Sequence, residues 1–463
     1  MTTARPLPFR FGLAGAIAPL LVFVAGVGAL AAAGAPDERG FWPVLVGALV
    51  TSRLLARDGA HWSEAVLEGI AQPIVAVMVL AWLLAGLLGA ILATGGLVDG
   101  VAWAAAAVGA GPVLIVGVAF IGCALLATAT GTSFGTLLVA GPVLYGAGTA
   151  IGAAPAVLLG SILAGSTWGD SISPISDTSI ASAGSQDTDV AGTVRSRLRY
   201  VVPAGLVALA ASLALAAAAS GNAGGATDPI IGTRPTGLIL LIVPMLVIGL
   251  LARGRPLLDG LLVGVVAALG VTLATGLIAP TTLLHVAPGA IGASGVLIDG
   301  LQRGVGVSVF TILLMGLIGP VQASGALDRL IASVATGALT ERRAESVMVG
   351  IVTAAVFLTT HSIVAILAVG PMVRRLGAAS GITAYRRANL LDLTVCVWPF
   401  LLPWFLPTIL AASVTSGDAA LPRVSPLAAG LHNTYAWALL VTVVAAVATG
   451  YGRSRDRSSD RSS

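Results

Sequence analysis

The chain has 463 residues, of which 57% are hydrophobic and 10% are charged, with a formal net charge of +4. Soluble domains carry about 25% charged residues, so this composition excludes an ordinary soluble protein and predicts an integral membrane protein. The basic residues are spread along the chain, so a nucleic-acid partner is not expected. The sequence lacks a P-loop, a metal-ligand cluster and a nucleophile constellation, so we expect neither an enzyme nor a bound cofactor.

Apolar runs follow one another along the whole chain. A helix needs about 20 apolar residues to span a bilayer, and several runs approach this length while others fall short. The residue alternation typical of a membrane barrel is absent. We therefore predict an all-α polytopic membrane protein with about 10–12 membrane segments, some of them broken or re-entrant. The runs lie at 11–33, 73–92, 112–129, 201–219, 237–251, 257–278, 305–317, 403–412 and 436–447.

The sequence contains an internal repeat. The stretch EGIAQPIVAVMVLAWL, which starts at Glu68, aligns with DGLQRGVGVSVFTILL, which starts at Asp299. Further on, TGTSFGTLLVAGP from Thr130 aligns with TTHSIVAILAVGP from Thr359, and the offset stays within 229 to 231 residues. Chance similarity between apolar helices does not keep a constant offset, so the pattern predicts a duplicated unit.

Arginine placement indicates the direction of each copy. The connection after Pro142 has no arginine, whereas the region after Pro371 carries four; conversely, three arginines follow the first copy and one follows the second. Because basic residues collect in cytoplasmic loops, the two copies are predicted to be inverted repeats. Arginines near both ends of the sequence predict cytoplasmic N- and C-termini, in a multi-pass protein of the cytoplasmic (inner) membrane.

The predicted organisation follows from the repeat. We expect N-terminal membrane helices at 1–60, a first inverted repeat with an acidic ion site at 61–200, connecting helices at 201–290, a second inverted repeat at 291–415, and a C-terminal helix with a cytoplasmic tail at 416–463. The polar loop at 220–237 is expected to be flexible and extracytoplasmic. Inverted repeats with interrupted apolar segments are typical of secondary transporters, whose site lies near the membrane midplane.

Four polar stretches interrupt the apolar runs, at 129–136, 165–179, 359–362 and 388–394. The second, GSTWGDSISPISDTS, contains Asp170 and Asp177, and an aspartate at the bilayer centre costs about 2.5–3.5 kcal/mol. Pro174 removes a backbone donor and Gly169 is expected to allow unusual dihedral angles, which frees carbonyl oxygens. Hard cations prefer such oxygen ligands, and a proton competes for the same carboxylate, so the stretch predicts ion exchange. The alternative is a stretch that lies solvated at the membrane interface.

The candidate ion ligands are polar side chains of these breaks. Hydroxyl residues of the first break either bind the ion or hydrogen-bond neighbouring helices. His361 either carries a proton or makes a polar contact that fixes the position of the broken helix. Asp392, near Arg386 and Arg387, forms either an interfacial ion pair or a further ligand. The predicted ligands are Asp170, Ser173, Asp177, Thr178, Thr130, Thr132, Ser133, His361 and Ser362.

The core GD-x-x-SP-x-SDT, with ATGTS upstream and with TTHSIVAI and YRRANLLDLT in the second copy, resembles the NhaC-type Na+/H+ antiporter family. The resemblance implies a sodium/proton antiporter of the ion-transporter superfamily, with Na+ and H+ as its substrates. His361 departs from the simpler Gly/Ser-rich loop expected there. The matching positions are Gly169, Asp170, Ser173, Pro174, Ser176, Asp177 and Thr178, with Thr130, Gly131, Thr132 and Ser133 upstream.

Two other functions stay open on the sequence. One is a Na+- or H+-coupled carrier of an organic acid or amino acid, because family relatives also exchange organic solutes. Arginine is the natural partner of a carboxylate, and none lies inside the predicted breaks, which favours an inorganic ion. The other is a cation channel, against which the asymmetric acidic site and the inverted repeats argue. Beyond the lipid bilayer, a homodimer is expected by analogy only.

Overall fold

The structure is a computed structural model that describes residues 6–33, 38–107, 109–222, 235–286, 292–332, 339–415 and 421–453. Most of the loop predicted at 220–237 and the tail beyond residue 453 lie outside the described residues, and so do the arginines at positions 5, 455, 457 and 461 that entered the prediction of the termini.

Among the residues that the structure describes up to position 222, ten α-helices form the first part of the chain. Helices α2, α4, α6 and α8 have a proline at the first or second position, where the missing N–H costs no helical hydrogen bond. A short 3-10 helix, Glu38–Phe41, precedes α2. The helices are α1 (Leu13–Ala32), α2 (Trp42–Leu55), α3 (Gly59–Ile70), α4 (Pro73–Thr94), α5 (Leu97–Ala107), α6 (Pro112–Thr130), α7 (Ser133–Ala150), α8 (Pro155–Ile172), α9 (Asp177–Ser185) and α10 (Val190–Asn222).

The second part of the chain is again helical. Two-residue strands, β1 (His285–Val286) and β2 (Ala293–Ser294), pair antiparallel with His285 opposite Ser294. Short 3-10 helices lie at Pro235–Leu241 and Trp398–Phe400. The helices are α11 (Ile242–Ala252), α12 (Leu257–Thr275), α13 (Pro280–Leu283), α14 (Val296–Ala323), α15 (Ala326–Ala332), α16 (Glu341–Thr359), α17 (Ser362–Ala379), α18 (Ala384–Val395), α19 (Leu406–Val414), α20 (Pro426–Leu431) and α21 (Thr434–Thr449).

The helices have the length and composition of membrane spans. Within the described ranges, seven of them are long and apolar enough to cross a bilayer, namely α1, α4, α6, α10, α12, α14 and α17. Two shorter apolar helical stretches lie at Pro235–Leu251 and Thr434–Thr449. The prediction of an all-α polytopic membrane protein is confirmed, whereas the total of 10–12 membrane segments and the domain boundaries stay predictions.

The internal repeat is visible in the order of the elements. Helices α6, α7, α8 and α9 start at residues 112, 133, 155 and 177, and α16, α17, α18 and α19 start at 341, 362, 384 and 406, which is one constant offset. Chain breaks fall at the same points of both series, after the first helix and after the third. The inversion of the second series relative to the first stays a prediction.

Glycines set the close approach of the main helix pairs. A Cβ on Gly304 of α14 would lie 2.6 Å from the Trp82 carbonyl oxygen of α4, and one on Gly86 would lie 2.6 Å from the Gly300 carbonyl oxygen. A Cβ on Gly165 of α8 would collide with the Phe120 carbonyl of α6. Small residues let membrane helices pack with their backbones in contact. Helix α4 packs mainly on α14 and α12, and α14 also packs on α3. Helix α8 packs on α6, α7 and α10, and the site lies between these two groups.

Candidate ion-binding site

Several helix ends meet at one cavity of about 310 Å³. Four of them are the N-termini of α7, α9 and α17 and the C-terminus of α8. The breaks before α7 and α17 have the same backbone path: Gly131 and Thr360 are left-handed, with φ of 69° and 52°, and Thr132 and His361 that follow are extended. The repeat therefore brings two equivalent broken helices to the same cavity.

The structure brings eight of the nine predicted ligands to this cavity. The exception is Ser173, which is fully buried and donates its hydroxyl to the Thr128 carbonyl oxygen at 2.8 Å. Whether the eight bind an ion stays a prediction. The eight residues are Thr130, Thr132, Ser133, Asp170, Asp177, Thr178, His361 and Ser362.

Asp170 is the buried carboxylate of the cavity. It lies in the last turn of α8 and is 9% exposed. Its carboxylate faces the hydroxyls of Ser133 and Ser176 and the backbone N–H of Ser133 at the start of α7. Its Oδ1 atom makes no hydrogen bond within the described part of the chain. The N-terminal dipole of α7 favours negative charge here, and a carboxylate oxygen remains available to a cation.

Asp177 has a different environment. It is the first residue of α9 and its side chain is exposed, so it faces the open part of the cavity, where an acid in the first helical turn is also favoured by the helix dipole. The next residue, Thr178, is half-buried and its hydroxyl lies 3.1 Å from that of Ser176. Of the two aspartates, only Asp170 is removed from water.

The hydroxyl side chains keep oxygen lone pairs free. Thr130 donates to the Leu126 carbonyl oxygen at 2.9 Å and Ser362 donates to that of Val395 at 3.2 Å. A hydroxyl that donates its proton still has two acceptor lone pairs. Thr132 is engaged as an acceptor, because it caps α7 through the Gly135 N–H at 3.3 Å.

The second copy contributes two buried polar atoms without partners. The Nδ1 atom of His361 and the Oγ1 atom of Thr360 make no hydrogen bond within the described residues. Thr360 is a site residue that the sequence reasoning missed, and the repeat alignment carried the signal, because Thr360 occupies the position of Gly131. Ser176, which also lines the cavity, was missed as a ligand although it lies in the acidic motif.

The wall opposite these polar groups is formed largely by α4. Its residues Ile74, Val77, Met78, Ala81 and Trp82 face the cavity at helical spacing. Trp82 is 4% exposed, and its Nε1 makes no hydrogen bond in the described part of the structure. The cavity therefore has one polar side, built from helix breaks, and one apolar side.

A buried ion pair lies behind the polar side. Asp392 pairs with Arg197, and both side chains are essentially inaccessible to solvent. The sequence allowed two roles for Asp392, an interfacial ion pair or an ion ligand. The structure shows a pair in the interior, and the partner is not one of the neighbouring arginines: Arg386 bonds Glu345 at 2.9 Å and Arg387 bonds Gln186 at 3.0 Å.

Within the described residues, no group of three or more His, Cys, Asp and Glu side chains could hold a metal ion. The cavity instead offers one buried carboxylate, one exposed carboxylate and several hydroxyls. Such hard oxygen donors suit a weakly held hard cation and do not suit a tightly bound transition metal.

Comparison with known proteins agrees with this arrangement. Residues 39–216 match the family model described as the Na+/H+ antiporter family. Over this segment, which is less than half of the chain, the sequence is similar to the Na+/H+ antiporter family. The segment contains α2 to α9, most of α10 and the first-copy side of the cavity, and the resemblance to NhaC-type antiporters is confirmed.

Three curated relatives are similar to parts of this chain. The Arginine/ornithine antiporter ArcD of Halobacterium salinarum is 31% identical over 157 residues, 32% of each chain. The Malate-2H(+)/Na(+)-lactate antiporter of Bacillus subtilis is 35% identical over 82 residues, 18% of each chain. The Na(+)/H(+) antiporter NhaC of Alkalihalophilus pseudofirmus is 27% identical over 151 residues, 32% of this chain and 33% of the relative. The matches thus span a third or less of each relative's length.

Proposed function

We propose that this protein is a secondary active transporter that exchanges Na+ for H+ across the cytoplasmic membrane by alternating access. The observation that carries the proposal is the Asp170 carboxylate, which is buried where two broken helices meet and has an oxygen atom without a hydrogen-bond partner. An isolated buried carboxylate is stable only when it is protonated or paired with a cation. The two states exclude each other, which is the requirement for exchange.

The remaining ligands of the cation are hydroxyl oxygens, and a histidine of the second copy takes part in proton movement. We propose Thr130, Ser133, Thr178 and Ser362 as oxygen ligands of Na+, with Thr132 more peripheral because it caps α7. His361 serves as a proton carrier in this scheme, since its Nδ1 atom is buried without a partner and histidine changes charge near neutral pH.

Alternating access is supported by a second cavity of about 290 Å³. Trp82 and Leu138 line both cavities and separate them. The second cavity lies toward the α4 end near Thr94 and the site cavity toward the end near Pro73. With the cytoplasmic side assigned by the arginine distribution, the site is open inward, and Trp82 and Leu138 close the outward path.

The remaining features of the proposal follow from this class of carrier. We propose a multi-pass protein with both termini in the cytoplasm, surrounded by lipid, with no cofactor and no enzymatic activity. A homodimer stays part of the proposal by analogy only.

An organic substrate is the second candidate. It is favoured by the names of two relatives, which are antiporters of arginine and ornithine and of malate and lactate. Against it, arginine is the natural partner of an organic carboxylate, and neither Arg197 nor Arg303 lines the site cavity. Arg197 is fully buried behind the site, and Arg303 lines the second cavity. A cation channel is disfavoured by the separation of the two cavities, since a channel needs a continuous path.

Transport in proteoliposomes with an internal pH dye tests the proposal. Sodium should dissipate an imposed pH gradient in the wild type, and Asp170→Asn should abolish this response because the amide cannot alternate between H+ and Na+. Asp259→Asn is the matched control, because its carboxylate is 40% exposed and pairs with Arg255 outside the cavity.

Arginine, malate and lactate are added in parallel, together with lithium and potassium. A response to an organic solute and none to sodium would replace the proposed function with the second candidate. Sodium conductance without proton movement would indicate a channel, and full exchange by Asp170→Asn would refute the role of that carboxylate.

A further inference from the structure

A fully buried guanidinium lies next to the acidic break. Arg197 belongs to α10, in the second turn after its start, and is the largest fully buried side chain of the described residues. It does not line the site cavity. A charged side chain is almost never fully buried unless it is paired, so its partners define what it does.

The guanidinium is held from three other helices. Its donors reach α8, α9 and α18, and it also forms the ion pair with Asp392. A guanidinium with all its nitrogen atoms engaged cannot swing into the cavity. The hydrogen bonds are Nη1 to the Ser171 carbonyl oxygen at 3.2 Å, Nη1 to Ser179 Oγ at 2.7 Å, Nη2 to Ser182 Oγ at 3.4 Å and Nε to Asn389 Oδ1 at 3.3 Å.

These contacts put Arg197 beside the proposed ion ligand. The Ser171 carbonyl that accepts its hydrogen bond belongs to the residue that follows Asp170. Asp392 is also close enough to Asp170 for the two carboxylates to interact electrostatically. Among the described residues, the interior next to the cavity therefore holds the carboxylates of Asp170 and Asp392 and the guanidinium of Arg197, which pairs with Asp392.

We propose that Arg197 is a fixed internal counter-charge that neutralises Asp392 and thereby leaves Asp170 as the one buried carboxylate available to the transported cation. This inference rests on the proposed function of the cavity. Two uncompensated carboxylates at this place would favour a divalent cation, because multiple carboxylates are the ligands of such ions. With one of them neutralised, the buried charge matches a monovalent cation.

The half-saturating Na+ concentration for exchange, measured at one fixed alkaline pH, tests this role. Asp392→Asn leaves the Arg197 charge uncompensated beside the site and should raise that concentration by about tenfold, since a charge a few ångströms away changes affinity by this order. The double variant Arg197→Gln/Asp392→Asn removes both charges and should return within about twofold of wild type. The matched control is Arg195→Gln, an exposed residue of the same helix, which should leave the value unchanged.

Several outcomes separate this inference from a purely structural role. A structural role predicts a lower maximal rate in Asp392→Asn without the shift in half-saturation, and no recovery in the double variant; either result overturns the proposal. If Asp392→Asn does not fold, because it leaves a buried charge unpaired, the double variant decides: folded protein with wild-type half-saturation supports the proposal, and any other result overturns it. A wild type that does not exchange Na+ refutes the proposed function instead, before any variant is compared.

Discussion

Replacing Gly169 with alanine tests how α8 holds the carboxylate of the next residue, Asp170. The sequence suggested that Gly169 allows unusual dihedral angles, but in the structure it lies within α8 and has no positive φ. Its role is close packing: a Cβ there would collide with the Ala124 carbonyl of α6 and would lie 2.8 Å from the Ala127 Cβ. Non-bonded carbon atoms normally approach to about 3.5–4.0 Å, so α8 and α6 must move apart.

The magnitude follows from three contributions. Overpacking of a close contact costs about 1–3 kcal/mol. Separation of the helices also weakens the hydrogen bond from the Thr128 hydroxyl to the Gly169 carbonyl oxygen, now 3.2 Å long, which is worth about 0.5–1.5 kcal/mol. The better helix propensity of alanine returns up to about 1 kcal/mol. Taking the middle of the first two ranges and the full return from helix propensity, we expect a net loss of about 2 kcal/mol in the free energy of unfolding.

The assay is thermal unfolding of the purified protein in detergent, followed by tryptophan fluorescence, together with Na+-dependent exchange. Gly122→Ala is the matched control, because Gly122 lies within α6, the helix that faces Gly169, and apart from its chain neighbours and its own helical backbone no atom lies within 4 Å of its added Cβ. Its melting temperature should be unchanged or higher. Exchange by Gly169→Ala should fall because Asp170 moves with the α8 backbone. Equal melting temperatures for Gly169→Ala and Gly122→Ala would refute the packing argument.

Three further changes probe other parts of the molecule. Glu345→Ala should lower the free energy of unfolding by about 3–5 kcal/mol, because the buried Arg386 guanidinium loses its carboxylate, as measured by thermal unfolding. Thr360→Gly should raise that free energy by about 1–2 kcal/mol, because φ is 52° at this β-branched residue and glycine tolerates that conformation. Tyr385→Phe should destabilise the protein at neutral pH but not in acid. The hydrogen bond from the Tyr385 hydroxyl holds the pKa of Asp189 below its usual range. The contribution of this bond to the free energy of unfolding is therefore present above about pH 3.9, the ordinary pKa of an aspartate, and is lost as the pH falls through the lowered pKa. Unfolding of both proteins at several pH values measures the difference.

Each of these predictions has its own control. Arg453→Ala removes a partner of Glu345 that is one-quarter exposed and should cost less than Glu345→Ala; an equal or larger loss would contradict the argument from burial. Gly131→Ala, with φ of 69° and an added Cβ 2.7 Å from the Ile175 carbonyl oxygen, should destabilise where Thr360→Gly stabilises. A stability difference for Tyr385→Phe that persists undiminished in strong acid would exclude a contribution from the ionised Asp189.

The sequence alone determined the class of fold and three of the four predicted helix breaks. The fourth polar stretch, 388–394, lies within the continuous helix α18, and the chain breaks only after Val395. Apolar runs predict membrane helices because lipid satisfies no backbone group, and the breaks before Ser133 and Ser362 follow from local signals in the repeat. Proline and hydroxyl residues change the backbone conformation and hydrogen bonds of the residues next to them. The interruption between α8 and α9 was therefore predictable from Pro174 and its neighbours. The eight cavity residues were predicted for the same reason: polar groups inside apolar segments need a common polar environment.

Only the tertiary structure decided which way the side chains point and which groups pair. Ser173 lies in the acidic motif, yet its hydroxyl turns to the Thr128 carbonyl and away from the cavity. Asp392 has two arginines nearby in sequence but pairs with Arg197 of a distant segment. Such partners depend on the rotation and crossing of α8, α10 and α18, which are set by contacts between helices far apart in the chain. A local sequence pattern does not determine those contacts.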